Sequence, residues 1–210
     1  MQPFTTLCDV AAPLDGANID TDQIIPARFL RKPRAAGYGN FLFHDLRYDD
    51  AGRERPEFAL NLPAFRSAKI LVGDANFGCG SSREGAVYAL LDFGIRAVIA
   101  PSFGDIFRTN CVKNSVLPLA LDGDAVTALR SQLRAVPGST LAIDLERQCV
   151  TRSDGSELRF EIDPFAKECL LLGLDDIELT LRYSEDIARF ESQHRATYPW
   201  WFRRAPGAHQ

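Results

Sequence analysis

Three short apolar runs, at residues 69–73, 96–101 and 117–121, are separated by two stretches of helical spacing, and this rhythm leaves few folds open. Between the first two runs, Ala86, Ala89, Leu90 and Phe93 recur on one face of a helix over 85–93. Between the second and third, a helix beginning at Ser102 or Asp105 turns Phe103, Ile106 and Phe107 toward the core. Strand, helix, strand, helix, strand at these lengths is the parallel βαβ pattern of an α/β fold, whose ligands sit at the carboxyl ends of the strands.

At such an end stands Asn76-Phe77-Gly78-Cys79-Gly80-Ser81-Ser82-Arg83-Glu84. Two glycines one residue apart let the backbone turn sharply and come close to a ligand. Ser81, Ser82, Arg83 and the free N–H groups of the following helix start then converge on one small volume. The helix dipole adds partial positive charge there, so a carboxylate or phosphate is the natural occupant. The competing reading is plainer: Ser81 or Ser82 is only an N-cap, and the glycines only pack tightly.

The flanks are read in chain order. Residues 4–14 form an opening strand. Asn18-Ile19-Asp20-Thr21-Asp22-Gln23-Ile24-Ile25-Pro26 is too polar for a core strand and stops at its proline. Its two carboxylates suggest a metal, but no third ligand is near and Asx turns explain them equally well. Arg28, Arg31, Lys32 and Arg34, followed by Ala35-Ala36-Gly37-Tyr38-Gly39, make a basic loop over about 28–39. It is expected to be mobile; such a run is usually only solvated, and the alternative is that it closes over an acidic ligand or docks on a partner. Residues 47–68 are the least ordered-looking insertion. Beyond 121, a helix over 124–136 is followed by a hairpin over 139–162 turning at Ser153-Asp154-Gly155. Asp163 and Pro164 open a helix that Gly173 stops. A last helix starts near Ser184, and an aromatic tail over about 198–210 either folds back or offers an interface.

Composition narrows the function. With 210 residues, 46% hydrophobic and 25% charged, the chain suits one good core, and 1–210 is taken as a single domain. A net charge of −4 provides no basic field for nucleic acid. No 18-residue apolar run and no signal peptide is seen, which predicts no membrane association and a cytoplasmic protein. Five cysteines without a C-x-x-C pair, and three histidines, make no cluster or zinc site of their own.

Taken together, these segments resemble the small subunits of 3-isopropylmalate dehydratase (isopropylmalate isomerase), separate-chain equivalents of the C-terminal swivelling domain of aconitase. The motifs that carry the resemblance are residues 18–26, residues 76–84, Ala100-Pro101-Ser102-Phe103-Gly104-Asp105-Ile106-Phe107, Asn110-Cys111-Val112-Lys113-Asn114 and Gly173-Leu174-Asp175-Asp176-Ile177. They run in order over nearly the whole chain. The resemblance implies a swivelling β/β/α domain with a central, largely parallel sheet and flanking helices. It also implies a half-enzyme: a large partner subunit holds a [4Fe–4S] cluster with one iron open as Lewis acid, while this chain supplies the other face of the cleft and no cofactor.

The roles it implies fall on Ser81 as base, Ser82 and Arg83 as carboxylate binders and Asp22 as an active-site aspartate. Phe29, Leu30 and Arg31 lie in a loop like the one that selects the substrate side group. The implied substrate is a small dicarboxylic hydroxy acid, isopropylmalate, isomerised through 2-isopropylmaleate in leucine biosynthesis. One departure stands out. The family commonly follows Ser-Ser-Arg-Glu with His-Ala and often Pro-Trp, where this chain has Gly85-Ala86-Val87-Tyr88. Gly85 removes a hydrogen-bonding ring and costs about 1 kcal/mol of local helix stability. It keeps open a related hydro-lyase subunit, of citraconate, dimethylmaleate or homoaconitate type, and a non-catalytic binding module of the same fold.

Overall fold

Strand propensity and burial build the centre first. Strands β1 (Thr6–Pro13), β2 (Ile70–Val72), β3 (Ala97–Ala100) and β4 (Leu117–Ala120) run parallel in the order β4-β3-β2-β1. Strands β5 (Thr140–Asp144), β6 (Cys149–Thr151) and β7 (Glu157–Arg159) then continue the same sheet antiparallel from β1. The computed structural model describes residues 2–202, and the last part of the expected aromatic tail, 203–210, lies outside the described residues. β4 tolerates Pro118 because it is the edge strand of the parallel half.

β2, β3 and β4, with the end of β1 that pairs with β2, are largely buried on both faces, as near-continuous apolar runs require. Ala12, Leu71, Val98 and Ala100 face one core with Ile24, Phe43, Leu60, Phe77 and Leu90. Ala11, Ile70, Val72 and Ile99 face the other with Leu129, Leu133 and Leu170. Neighbours in sequence thus point to opposite sides, the period of two that a pleated strand imposes.

The connecting elements are α1 (Thr21–Ile24), α2 (His44–Arg47), α3 (Glu84–Phe93), α4 (Asp105–Lys113), α5 (Gly123–Ala135) and α6 (Pro164–Leu172). As expected, Asp163 accepts from the Ala166 N–H with Pro164 in the first turn, and Gly173 closes α6 in the left-handed region.

Four expectations need correction. Ile106 is 52% exposed, because α4 turns Phe107 and Cys111 inward instead. Residues 139–162 make two hairpins, since the chain also reverses between β5 and β6, where Gln148 has a φ of 54°. Neither serine caps α3: Arg83 is its N-cap residue, without a side-chain hydrogen bond. Residues 47–68 are not a loose insertion. Arg47 and Asn61 are buried there, Arg47 Nε donates to Asn61 Oδ1 at 3.1 Å, and Asn61 Nδ2 donates to the carbonyls of Arg47 (2.7 Å) and Arg55 (2.9 Å).

The described residues divide into two compact units, the first ending at Gly173 and the second beginning at Leu174. The second holds α7 (Asp176–Leu181), which Asp175 opens with a capping box to Glu178, and α8 (Ser184–Thr197), followed by a 3-10 turn over Pro199–Phe202. Within it, His194 lies against the rings of Phe190, Tyr198, Trp201 and Phe202. No helix among the described residues is long and apolar enough to cross a membrane.

Candidate functional site

The turn over residues 76–84 lies between the carboxyl end of β2 and the start of α3, where the βαβ pattern puts a ligand. Its backbone takes left-handed conformations at Asn76 (φ 58°), Gly78 (φ 72°) and Gly80 (φ 88°). Gly78 is required twice over, because a Cβ there would also stand 2.2 Å from the Phe107 ring.

Two neighbouring segments pin the turn. From the loop after β3, the Phe77 N–H donates to the Ser102 carbonyl (3.0 Å), the Gly104 N–H donates to the Phe77 carbonyl (2.9 Å), and the Asn76 N–H donates to the Ser102 hydroxyl (2.8 Å). At the start of α1, the Ile19 carbonyl accepts from the Gly78 N–H (2.7 Å) and the Thr21 N–H donates to the Cys79 carbonyl (3.0 Å). The buried Thr21 hydroxyl donates to the Ser81 carbonyl at 2.9 Å. Ser81 is therefore fixed through its backbone, which leaves the anchoring independent of its side chain. Ser81 and Ser82 are exposed at the mouth of the turn.

Arg83 and Asp22 form an ion pair across this mouth. The arginine side chain is mostly covered, whereas the aspartate side chain is 53% exposed. Hydrogen bonding to Arg83 holds the Asp22 carboxyl below its ordinary value, and the same bond raises the Arg83 guanidinium above its own. Asp22 also accepts from the Ala27 N–H at 3.1 Å, which fastens the start of the basic loop to the site. Behind the turn, the Asn114 side-chain amide donates to Glu84 at 2.9 Å, joining the end of α4 to the first turn of α3.

The basic loop carries its own anchors. Arg28 pairs with Asp45, and Phe29 stacks on Phe41 with centroids 4.3 Å apart. Arg34 pairs with Asp92 at 2.8 Å and lies over the Tyr88 ring at 4.2 Å. Leu30 is half-buried beside the first turn of α3, and Arg31 is exposed. Ser81, Ser82, Arg83 and Asp22 are thus brought together, with Leu30 adjoining them through Gly85. Thr21 escaped the sequence reading. Its signal was a lone buried hydroxyl in a polar segment, indistinguishable from helix capping until the fold sets it against the turn.

Among the described residues, no group of three or more His, Cys, Asp or Glu is placed to hold a metal ion. No disulfide joins the five cysteines; Cys79 is half-buried in the turn and Cys8 is exposed. This donor set does not fit a cluster, whose thiolates must converge on one point.

The Aconitase C-terminal domain family model matches residues 1–124. A model described as LeuD_N matches 127–164, and one for the C-terminal domain of the 3-isopropylmalate dehydratase small subunit matches 176–204. A 3-isopropylmalate dehydratase small subunit from Paramagnetospirillum magneticum is 52% identical over 95% of this chain and 100% of its own length. The chain belongs to this family. Another small subunit, from Rhodospirillum centenum, is 52% identical over 95% of this chain and 98% of its own. The fold agrees: a crystal structure of 3-isopropylmalate dehydratase from Methanocaldococcus jannaschii superimposes with a TM-score of 0.64 at 26% identity, covering 88% of this chain and 99% of that one. A 3-isopropylmalate dehydratase small subunit thus has the aconitase C-terminal type of α/β domain that its motifs implied.

Proposed function

We propose that this chain is the half of a 3-isopropylmalate dehydratase that grips the carboxylates and moves the proton, isomerising 2-isopropylmalate and 3-isopropylmalate in leucine biosynthesis. The observation that carries the reading is the meeting of exposed Ser81 and Ser82 with an oriented Arg83 at the end of β2. The partner is a large subunit, and the proposed compartment is the cytoplasm, in keeping with five cysteines that form no disulfide. A [4Fe–4S] cluster on that subunit, when bound, would supply Lewis acidity to the departing hydroxyl.

Every other part of the reading belongs to this chain. Arg83 offers a planar fork to one substrate carboxylate, and its fixed direction comes from Asp22. Ser82 donates to the same group. Ser81, in its alkoxide form, takes the proton from the carbon beside a carboxylate, the C–H pair becomes the double bond of 2-isopropylmaleate, and hydroxide leaves. Returning the proton and hydroxide to exchanged carbons completes the isomerisation. An alkoxide is a strong base in water, so it needs the guanidinium and the uncapped N–H groups at the start of α3 to stabilise it. Phe29, Leu30 and Arg31 border the site and bear on the side group. Asp22 acts through Arg83, so it is a positioning residue in this reading. To test the reading, mix the chain with a cluster-bearing large subunit and follow 2-isopropylmaleate and 3-isopropylmalate. Conversion by the mixture supports it; an inert mixture of folded, associated subunits contradicts it.

A further inference from the structure

Gly85 leaves a notch in the first turn of α3, and Leu30 fills it. A Cβ placed on Gly85 would stand 2.6 Å from Leu30 Cδ2, closer than carbon atoms approach, and 3.5 Å from Tyr38 Cε2, an ordinary contact. Of the two neighbours, therefore, only Leu30 would have to give way. Tyr38 is buried, its hydroxyl donates to the Lys32 carbonyl at 2.9 Å, and its ring lies against Phe41 and Tyr88, so it is a fixed backstop.

The loop is held on both sides of Leu30. Before it stand the Asp22–Ala27 hydrogen bond, the Arg28–Asp45 pair and the Phe29–Phe41 stack. After it stand the Arg34–Asp92 pair and the contact of Arg34 with Tyr88. A group added at position 85 would therefore move the end of the Leu30 side chain away from α3 while the loop backbone stays in place. The clashing atom is the far end of a flexible side chain, so Leu30 can turn aside by a change of rotamer. Gly85 is two residues from Arg83, and Leu30 is three from Ala27, whose N–H reaches Asp22. The Leu30 side chain thus touches the first turn of the helix that Arg83 opens, and its loop is tied to Asp22.

We propose that position 85 is a specificity-determining position: the missing side chain sets where Leu30 stands, and through Leu30 the size of the side group that the site admits beside the carboxylate grip. This rests on the dehydratase reading above for the identity of the acid, but the Leu30–Gly85 packing does not. Gly85 is then a matched partner of Leu30, and the pair has to change together.

The test is a double-mutant cycle in the chain reconstituted with its large subunit. The quantity read is the ratio of kcat/KM for isopropylmalate to that for a 2-hydroxy diacid with a smaller side group. Gly85→Ala should shift that ratio by about 10-fold or more, the effect of one methylene in a fitted pocket. In a Leu30→Ala background the same substitution should leave the ratio unchanged, because the clashing atoms are gone. An equal shift in both backgrounds, or no shift in either, overturns the proposal. A second measurement does not depend on turnover: with labelled leucine methyls, the full chain should show a Leu30 methyl in contact with the Gly85 α-protons, and Gly85→Ala should move that resonance while the chain stays folded. Absence of the contact overturns the proposal even if the pair is active. Its presence in a pair that does not turn over isopropylmalate would fault the substrate assignment alone, and the cycle would then be run on the acid that is turned over.

Discussion

Arg83 donates to the carboxylate of Asp22, 61 positions earlier in the chain, and so the side chain proposed to grip substrate is aimed before any ligand arrives. Because Asp22 is largely exposed, the pair is worth about 0.2–1 kcal/mol, and its loss should be felt as misorientation. In the reconstituted enzyme Asp22→Asn is expected to raise KM by about 1.5- to 5-fold with little change in kcat. Steady-state kinetics check this, and a collapse of kcat would make Asp22 a participant in the chemical step.

Arg83→Lys should cost more. A point charge replaces a two-toothed grip, and hydrogen bonds to charged groups are worth about 1.5–3 kcal/mol. The expected outcome is a KM increase of about 10- to 150-fold, measured with the same acid. An unchanged KM would remove Arg83 from carboxylate binding.

The anchoring of the basic loop has a pH signature. Hydrogen bonding to Arg28, with a further contribution from His44, lowers the Asp45 carboxyl to about 2. Its folded value thus lies below the unfolded one near 3.9, so its contribution to stability is complete above about pH 5 and fades as pH falls toward 2. Urea midpoints for the wild type and Asp45→Asn should differ by a constant amount above about pH 5 and converge toward pH 2. A gap that persists undiminished at the acid end would show that the pair is not its source.

Asn61 is 5% exposed and serves three partners, Arg47 Nε and the carbonyls of Arg47 and Arg55. Asn61→Leu leaves all three without it, at about 1–3 kcal/mol for each group left unsatisfied, so a loss of at least about 2 kcal/mol is expected. Chemical denaturation measures it. A change below about 0.5 kcal/mol, the level of an ordinary surface substitution, would mean that the network is replaced by water.

The parallel half of the sheet and α3 were legible because burial on both faces leaves unbroken apolar runs, and one-sided packing leaves a 3.6-residue period. The turn over residues 76–84 was legible because its glycines and serines are adjacent in sequence. What could not be read is whatever depends on pairs distant in the chain. Ser102 looked like a helix cap, yet its hydroxyl receives the Asn76 N–H. Arg47 and Asn61, in a segment rich in charge, gave no sign of being buried together. The reversal between β5 and β6 carries no glycine or proline, since Gln148 supplies the positive φ. Gly85 read as a departure from the family, and only the position of Leu30 shows what occupies the space.

The most direct measurement is made on Ser81→Ala reconstituted with the large subunit. Ser81 is anchored through its carbonyl to Thr21, so removing the hydroxyl should leave the turn, the assembly and KM nearly unchanged. The rate of isomerisation and the exchange of the substrate carbon-bound proton with deuterated solvent should then fall together by about 10²–10⁴-fold, the range for loss of a general base. Turnover and exchange within a few-fold of wild type would contradict the account, because the proton would then be taken by another group.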